Sequence, residues 1–461
     1  MIAAPAACAR RPHAWGTSVA RDSRRVAGGA VYVACGAPAE RSAHIAEARS
    51  RGAAAVIAED ATGDPDVVVA NARWTFARLS ASSQHADALA FPLVGVGGTK
   101  GKTTTSWCAW WCMAGRGPAA RIGTVGWFDG QVERSNPQTT PPPDELHAFL
   151  AGLGPVAGCA MELSSHGCDQ HRGAGLRFAA MAFTGLGHDH LDYHRTRGAY
   201  LAAKLRAFRW LQPGGLAVIN ADDPSAAAAV HAARAADARV VRLGLRAGDS
   251  RIADAGGGWH LDHGGLRLPL AVHLPGTFNA WNAAAGALLA HGAGVDLAEA
   301  CARLASMPPP PGRMELLAQA PATYVDYAHT PESIANAVHA ARLGHPAARV
   351  AIVFGCGGDR DTSKREPMGR AASGADLVVV TTDNARSEDP SAIAAMVVRG
   401  CPGAVVELDR GAAIRLARER VGRDGVVVVA GKGHEDYQII GGKTVPWDDR
   451  AFVRGLQVGS P

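Results

Sequence analysis

The sequence predicts an α/β protein of three domains, and three observations carry that expectation. Short β-branched runs alternate with amphipathic stretches along the chain, the pattern of a mostly parallel sheet wound with helices. The stretch GGTKGKTTTSW, Gly97 to Trp107, places a glycine loop between one such run and a helical stretch. MPPPPGR, Met307 to Arg313, is a stiff breaker after which the strand–loop pattern restarts. At 461 residues the chain is too long for one core, and the expected domains are 1–90, 91–308 and 309–461.

The first domain sets GGAVYVAC, GAAAVIAED and DVVVAN beside Ala/Arg-rich helical stretches such as RSAHIAEARSRG, a small α/β unit. FPLVGVGG then opens a buried strand, followed by the helix TTTSWCAWWCMAG. Further strands are expected at GCAMEL, FAAMAFTGL, LAVINA and RVVRLG, with a helix over AYLAAKLRAFRWL, Ala199 to Leu211. After the proline run, TYVDYAHT, RVAIVFGCGG, DLVVVTTDN and GVVVVAGKG each end in Gly, Asp, Asn or His. Strand ends of this kind line the ligand crevice of open sheets, so the C-terminal domain is expected to be Rossmann-like.

Composition excludes several classes. Hydrophobic residues make up 47% and charged residues 19%, an ordinary globular balance. The net charge of +5 comes from 47 basic against 42 acidic residues without a long basic block, so no nucleic-acid partner is expected. Nine cysteines form no CxxC pair, and the odd count argues against a disulfide framework and for a reducing compartment. MIAAPAACARRPHAWG lacks the apolar core of a signal peptide, and no apolar run reaches the roughly 18 residues of a membrane span. A cytoplasmic monomer acting on small molecules, without a membrane partner, is the expectation.

The glycine loop fits the compact form G-x-x-G-K-T over Gly98, Thr99, Lys100, Gly101, Lys102 and Thr103, followed by Thr104. Its glycines let backbone N–H groups converge on phosphate oxygens, Lys102 supplies a point charge, and the Thr103 hydroxyl reaches Mg²⁺. The helix that follows points its positive end at the anion. A P-loop ATPase-like central domain that binds a nucleoside triphosphate is therefore expected.

Three segments bear on what the phosphate is for. MELSSHGCDQHR offers Glu162 at a strand end as a hard oxygen ligand for Mg²⁺. FTGLGHDHLDYH crowds Asp189, His190, Asp192 and His194 together, either as metal ligands or as a metal-free polar network; the spacing is not HExxH. Lys204 shares a helix face with Tyr200, Leu201 and Phe208. It either snorkels to solvent or is desolvated and open to chemical modification. VFGCGGDR lacks the closing glycine and acidic residue of a dinucleotide loop.

From about Thr99 to Arg450, the ordered motifs GTxGKTTT, TTP, MELSSHG-x-x-Q-x-R, DHLDYH, AxxAK, NxDD, FN-x-x-N, PPGRME, VDYAHTP, GCGGDRD, DN-x-R-S-E-D-P and GKGHEDYQ resemble the Mur ligases. The resemblance is to the members that add diaminopimelate to a UDP-muramoyl dipeptide, and it implies an ATP-dependent amide ligase of peptidoglycan synthesis working through an acyl phosphate. It implies Lys102, Lys204 and His190 as catalytic residues, with Lys204 carbamylated. Mg²⁺ would be held by Thr103, Glu162, His190 and the Lys204 carbamate. Asn279 and Asn282 would meet the adenine, and Arg313 and Asp326 the rest of the nucleotide. Arg360, Asp383, Asn384, Ala385, Arg386, Gly431 and Glu435 would bind diaminopimelate. Arg386 would take its distal carboxylate bidentately and Glu435 its distal ammonium. Ser23, Gln138, Thr139, Thr140, Ser164, Gln170 and Arg172 would bind the acceptor.

Several positions depart from the family pattern. Lys100 and Gly185 replace asparagines, Gln138 replaces another, and Ala385 stands where proline stiffens the amino-acid loop. The nucleotide-sugar loop is replaced by APAERS, Ala37 to Ser42. Two alternatives stay open on these grounds: a paralogous ligase with a different carboxylate acceptor, and a nucleotide-binding scaffold without activity.

Overall fold

The structure is a computed structural model that describes residues 18–458 except 136, 137, 188, 255 and 257; the opening stretch read for a signal peptide, with Cys8, lies outside these residues. Two compact units make up the chain. The first takes the chain to Lys102, then Met113–Arg242 and Leu289–Val295; the second takes Thr103–Cys112, Leu243–Leu288 and Asp296 onward.

The first unit holds two sheets. The smaller is parallel throughout, in the order Val19–Ala20, Val31–Val33, Ala55–Ala58, Val67–Val68. Helix Pro38–Ser50 covers one face through Ile45 and Ala48, and helix Ala72–Ser83 covers the other through Phe76. Apolar side chains on both faces are what a buried parallel sheet requires. The segment Ala37–Ser42, read as a loop, is instead the start of helix Pro38–Ser50, whose first turn accepts a proline without losing a hydrogen bond.

The larger sheet runs Leu211–Asn220, Phe178–Phe183, Leu93–Gly97, Cys159–Leu163, Ala120–Ile122, all parallel. Short antiparallel strands Trp127–Phe128 and Glu133–Arg134 finish its edge. The helix expected over Ala199–Leu211 is α-helical over Arg197–Leu205 and tightens to 3₁₀ over Arg206–Trp210. Pairing begins at Leu211, before LAVINA, and shifts register between Phe178 and Ala180 opposite the Pro–Gly–Gly stretch.

The second unit carries a six-stranded sheet in the order Glu315–Gln319, Ala322–Asp326, Val426–Ala430, Val350–Phe354, Leu377–Val380, Val405–Val406. Only the first pair is antiparallel. Ile334, Met368 and Val397, from three helices, pack one face, and Ile414 and Val453, from two others, the opposite face. Inserting Val426–Ala430 between earlier strands makes a topological switch point, and Asp326, Gly355, Asp383 and Gly431 follow at the carboxyl ends. The sequence reading missed the antiparallel strands Ser250–Asp254, Trp259–His263 and Leu266–Leu270, and the hairpin Tyr437–Ile440 with Lys443–Pro446.

The expected α/β architecture stands: a small parallel sheet, a large mostly parallel one, and a separate C-terminal sheet. Among the described residues no helix is long and apolar enough to cross a membrane.

Candidate active site

In the first unit, the buried strand Leu93–Gly97 delivers the glycine loop, and helix Lys102–Met113 begins at its lysine. Lys102 Nζ donates to the carbonyls of Gly98 (3.2 Å) and Thr99 (2.8 Å). Lys204 Nζ donates to the same Gly98 carbonyl at 2.6 Å. Lys204 does not snorkel: it is 3% exposed, with its amine 4.4 Å from the centre of the Tyr200 ring. Burial, and then the neighbouring Lys102 charge, hold its amine well below the usual lysine value. Tyr200 OH lies 3.1 Å from Thr99 Oγ1, so the helix bearing Lys204 is bonded to the loop it serves.

Gly185, a departure from the family asparagine, has a local reason. Its φ is +128°, a region closed to other residues, and a Cβ there would lie 2.5 Å from Asp223 Oδ2. That carboxylate oxygen accepts from Leu186 N (2.9 Å), while Gly185 O accepts from Thr99 N (2.9 Å).

Glu162 sits buried in strand Cys159–Leu163 and accepts from Thr124 N (2.9 Å) and Thr124 Oγ1 (3.0 Å). A Cβ on Gly123 would fall 2.3 Å from Glu162 Oε1, so glycine there leaves the carboxylate its space. His190 heads helix Leu191–His194 at φ +51°, with its ring 4.9 Å from that of His166. The His190 side chain is 45% exposed, yet the desolvation it does undergo outweighs the opposing Asp189 and brings it down to about 4, so the imidazole is neutral near pH 7. A buried carboxylate with room beside it and a neutral imidazole fit a hard divalent cation. Asp189, His190, Asp192 and His194 do not converge as ligands: no three His, Cys, Asp or Glu side chains are arranged to hold a metal among the described residues. His194 packs instead on Tyr193 and Tyr200.

Most of the acceptor set is brought together. Arg172 donates to Gln170 Oε1 through Nε (3.2 Å) and Nη2 (2.8 Å), and through Nη1 to Gln138 Oε1 and the Thr140 carbonyl. Thr140 Oγ1 bridges Glu162 O (2.9 Å) and Ser164 N (2.8 Å), and Thr139 Oγ1 lies 3.0 Å from Thr124 Oγ1. Ser164 caps the short helix Ser165–Asp169. Ser23 stands apart from this network, its hydroxyl donating to Glu47 at 2.6 Å. Thr124 and His166 join this site without having been expected; His166 lies in MELSSHG, a usable signal, whereas nothing local marks Thr124.

The second unit holds the remaining residues expected to meet the nucleotide. Thr103 and Thr104 are buried, and Arg313 Nη2 donates to Thr103 Oγ1 at 3.1 Å. The Arg313 guanidinium lies 4.4 Å over the Tyr327 ring. Asp326 ends its strand accepting from Met314 N and Ala328 N, both at 2.8 Å. Sequestration pushes its carboxyl up, against the pull of Arg313 and those N–H groups. Asn279 and Asn282 form a buried chain: Thr105 Oγ1 donates to Asn282 Oδ1 (3.1 Å), Asn282 Nδ2 to Asn279 Oδ1 (3.1 Å), and Asn279 Nδ2 to Pro275 O (2.7 Å).

The same unit gathers the predicted amino-acid residues from three strand ends. Asn384 Nδ2 donates to Glu435 Oε2 at 3.0 Å, and fully buried Lys432 reaches the same oxygen at 2.9 Å. Burial works to raise Asp383, but Lys432 and Arg410 hold it below the ordinary carboxylate value. Arg386, at φ +54°, donates from Nη1 to Gly358 O (2.8 Å) and Asn384 O (3.3 Å). The restraint a proline at 385 would add comes here from Gly358 N to Asn384 O (2.9 Å), Arg386 N to Ile439 O (2.9 Å) and Glu388 N to Ala385 O (3.1 Å). Arg360 is exposed at the end of the GCGG loop. Gly312, in the proline run, meets the GKGHE loop: its Cβ would lie 2.2 Å from Gly433 C. Lys432 was missed because a lysine in a glycine loop reads as solvent-facing.

Two family profiles match: "Mur ligase middle domain" over residues 96–290, and "Mur ligase, glutamate ligase domain" over 312–433. A Brucella melitensis UDP-N-acetylmuramoyl-L-alanyl-D-glutamate–2,6-diaminopimelate ligase is 41% identical over 458 residues, covering 95% of this chain and 93% of that protein. A solved structure of an enzyme of that name superposes with a TM-score of 0.71 at 31% identity, over 96% of each chain. Folylpolyglutamate synthase of Mycobacterium tuberculosis, complexed with ADP and AMPPCP, shares the fold alone, at TM-score 0.62 and 19% identity over 84% of this chain and 95% of its own.

Proposed function

This chain belongs to the Mur ligase family, and from that premise we propose that it joins meso-2,6-diaminopimelate to UDP-N-acetylmuramoyl-L-alanyl-D-glutamate using ATP. It is an ATP-dependent acid–amino-acid ligase. The observation that carries the choice of amino acid is the joining of Asn384 and Arg386, from one strand end, with Glu435, from another, in one bonded network.

The acceptor's glutamyl carboxylate attacks the γ-phosphorus of ATP, forming an O–P bond as the bond to ADP breaks. The amine of diaminopimelate then attacks the acyl carbon, loses a proton, and expels inorganic phosphate as the amide forms. Lys102, held at the glycine loop, offsets charge that grows on the transferring phosphoryl oxygens. Arg172 fixes the acceptor, with Gln138, Thr140 and Gln170 orienting its guanidinium. The neutral amine of Lys204 adds to carbon dioxide, forming an N–C bond and releasing a proton, and the product is a carbamate anion. Mg²⁺ would be held by Thr103, Glu162, His190 and that carbamate, and supplies Lewis-acid stabilisation of phosphoryl oxygens. Arg386 and Glu435 take the distal carboxylate and ammonium of diaminopimelate. Domains at 1–90, 91–308 and 309–461, a cytoplasmic location and a monomeric state belong to the same proposal.

Phosphate release from ATP with purified UDP-muramoyl dipeptide tests this reading. Release should require diaminopimelate, and lysine should substitute poorly. Arg386→Ala should raise the KM for diaminopimelate by roughly tenfold or more, leaving that for ATP nearly unchanged. Equal use of lysine and diaminopimelate by the unmutated protein would refute the amino-acid assignment.

A further inference from the structure

Two buried charges that no step above uses lie directly beneath the amino-acid loops. Arg410 opens helix Arg410–Val421 and Asp449 opens helix Asp449–Val458; their side chains are 1% and 0% exposed. They form a forked pair, Arg410 Nε to Asp449 Oδ1 and Nη2 to Oδ2, both at 2.7 Å. Two of the three remaining N–H groups of Arg410 go to backbone carbonyls. Nη1 donates to Thr382 O (3.2 Å) and Nη2 to Ala430 O (2.8 Å). Thr382 immediately precedes Asp383–Arg386, and Ala430 immediately precedes Gly431–Glu435. Asp449 is itself fixed by Trp447 Nε1 at 2.7 Å.

We infer that Arg410 and Asp449 are positioning residues, through which the last helix sets the spacing of the two loops that bind the incoming amino acid. The inference rests on the amino-acid reading of those loops. A buried ion pair is a weak device for stability, since apolar residues of similar volume commonly serve as well. An apolar pair would not donate to two carbonyls on neighbouring strands. A planar guanidinium locked by a carboxylate does so with fixed geometry. Arg410 also helps hold Asp383 ionised at the head of its loop. Loss of the clamp frees the roots of both loops together.

The test is the double variant Arg410→Met with Asp449→Asn, which removes both charges and keeps an acceptor for Trp447. The expected result is a folded protein whose KM for diaminopimelate rises roughly tenfold or more while the KM for ATP stays within about twofold. Amides 383–386 and 431–435 should exchange with deuterium faster, with those of 350–354 and 426–429 unchanged. Should the double variant fail to fold, Arg410→Lys, which keeps the charge but not the fork, is measured in the same way. A folded variant with unaltered exchange in both loops overturns the inference. An unmutated protein that makes no product from diaminopimelate overturns the amino-acid reading instead, and the exchange measurement still decides the clamp.

Discussion

Lys204 concentrates the account at the scale of single residues. It is buried against Tyr200 and bonded to the Gly98 carbonyl, and burial with the neighbouring Lys102 charge lowers its proton affinity well below the usual lysine value. Lys204→Ala should abolish amide formation, with partial recovery on adding formate or acetate as a replacement carboxylate; full activity in the variant would contradict the carbamate role. The sequence gives both halves of this position, an apolar helix face and a lysine on it, but not the choice between snorkelling and burial. That choice depends on Thr99 and Gly98 arriving from about a hundred residues away. Lys432 shows the same limit, since its acceptors Asn384 and Glu435 lie on different strand ends. Gly185 shows the converse. A departure from the family pattern looked like a loss, and Asp223 fills the space a side chain would need.

At the scale of elements, helix Pro143–Ala151 carries a cost with a pH signature. His147 is fully buried, neither ring nitrogen has a hydrogen-bond partner, and desolvation lowers it from 6.5 to about 4. The unfolded chain binds a proton near 6.5 that the folded helix refuses until about 4. The associated stability is therefore complete above 6.5 and lost as pH falls through that window. Between pH 7.5 and 5 the loss from this group is about 2 kcal/mol. Urea unfolding should show that loss, and His147→Leu should reduce it by about that amount; an unchanged pH dependence in the variant would contradict the assignment. Elements with continuous β-branched runs, such as VVVVA at Val426–Ala430, are legible because both faces are buried. The hairpin strands Trp259–His263 and Leu266–Leu270 have mixed exposure and shorter apolar signals, although Gly264 and Gly265 between them marked the turn. The family resemblance sets Ala37–Ser42 at a nucleotide-sugar loop, whereas Pro38 occupies the first turn of a helix, where proline is favourable.

At the scale of the whole molecule, the residues proposed for the ligase reaction divide between the two units. The first holds Lys102, Lys204, Glu162 and the Arg172 network; the second holds Arg313, Asp326 and the loops proposed to bind the amino acid. Function was more legible than fold detail because phosphate loops and charged strand ends are local strings, whereas register and edge pairing depend on residues far apart in sequence. The central claim is that the acceptor carboxylate, rather than water or the amine, receives the phosphoryl group. Acceptor labelled with ¹⁸O in its glutamyl carboxylate, turned over with ATP and diaminopimelate, measures this directly. One labelled oxygen should appear in each inorganic phosphate released per amide formed, and phosphate free of label alongside full amide formation would contradict the account.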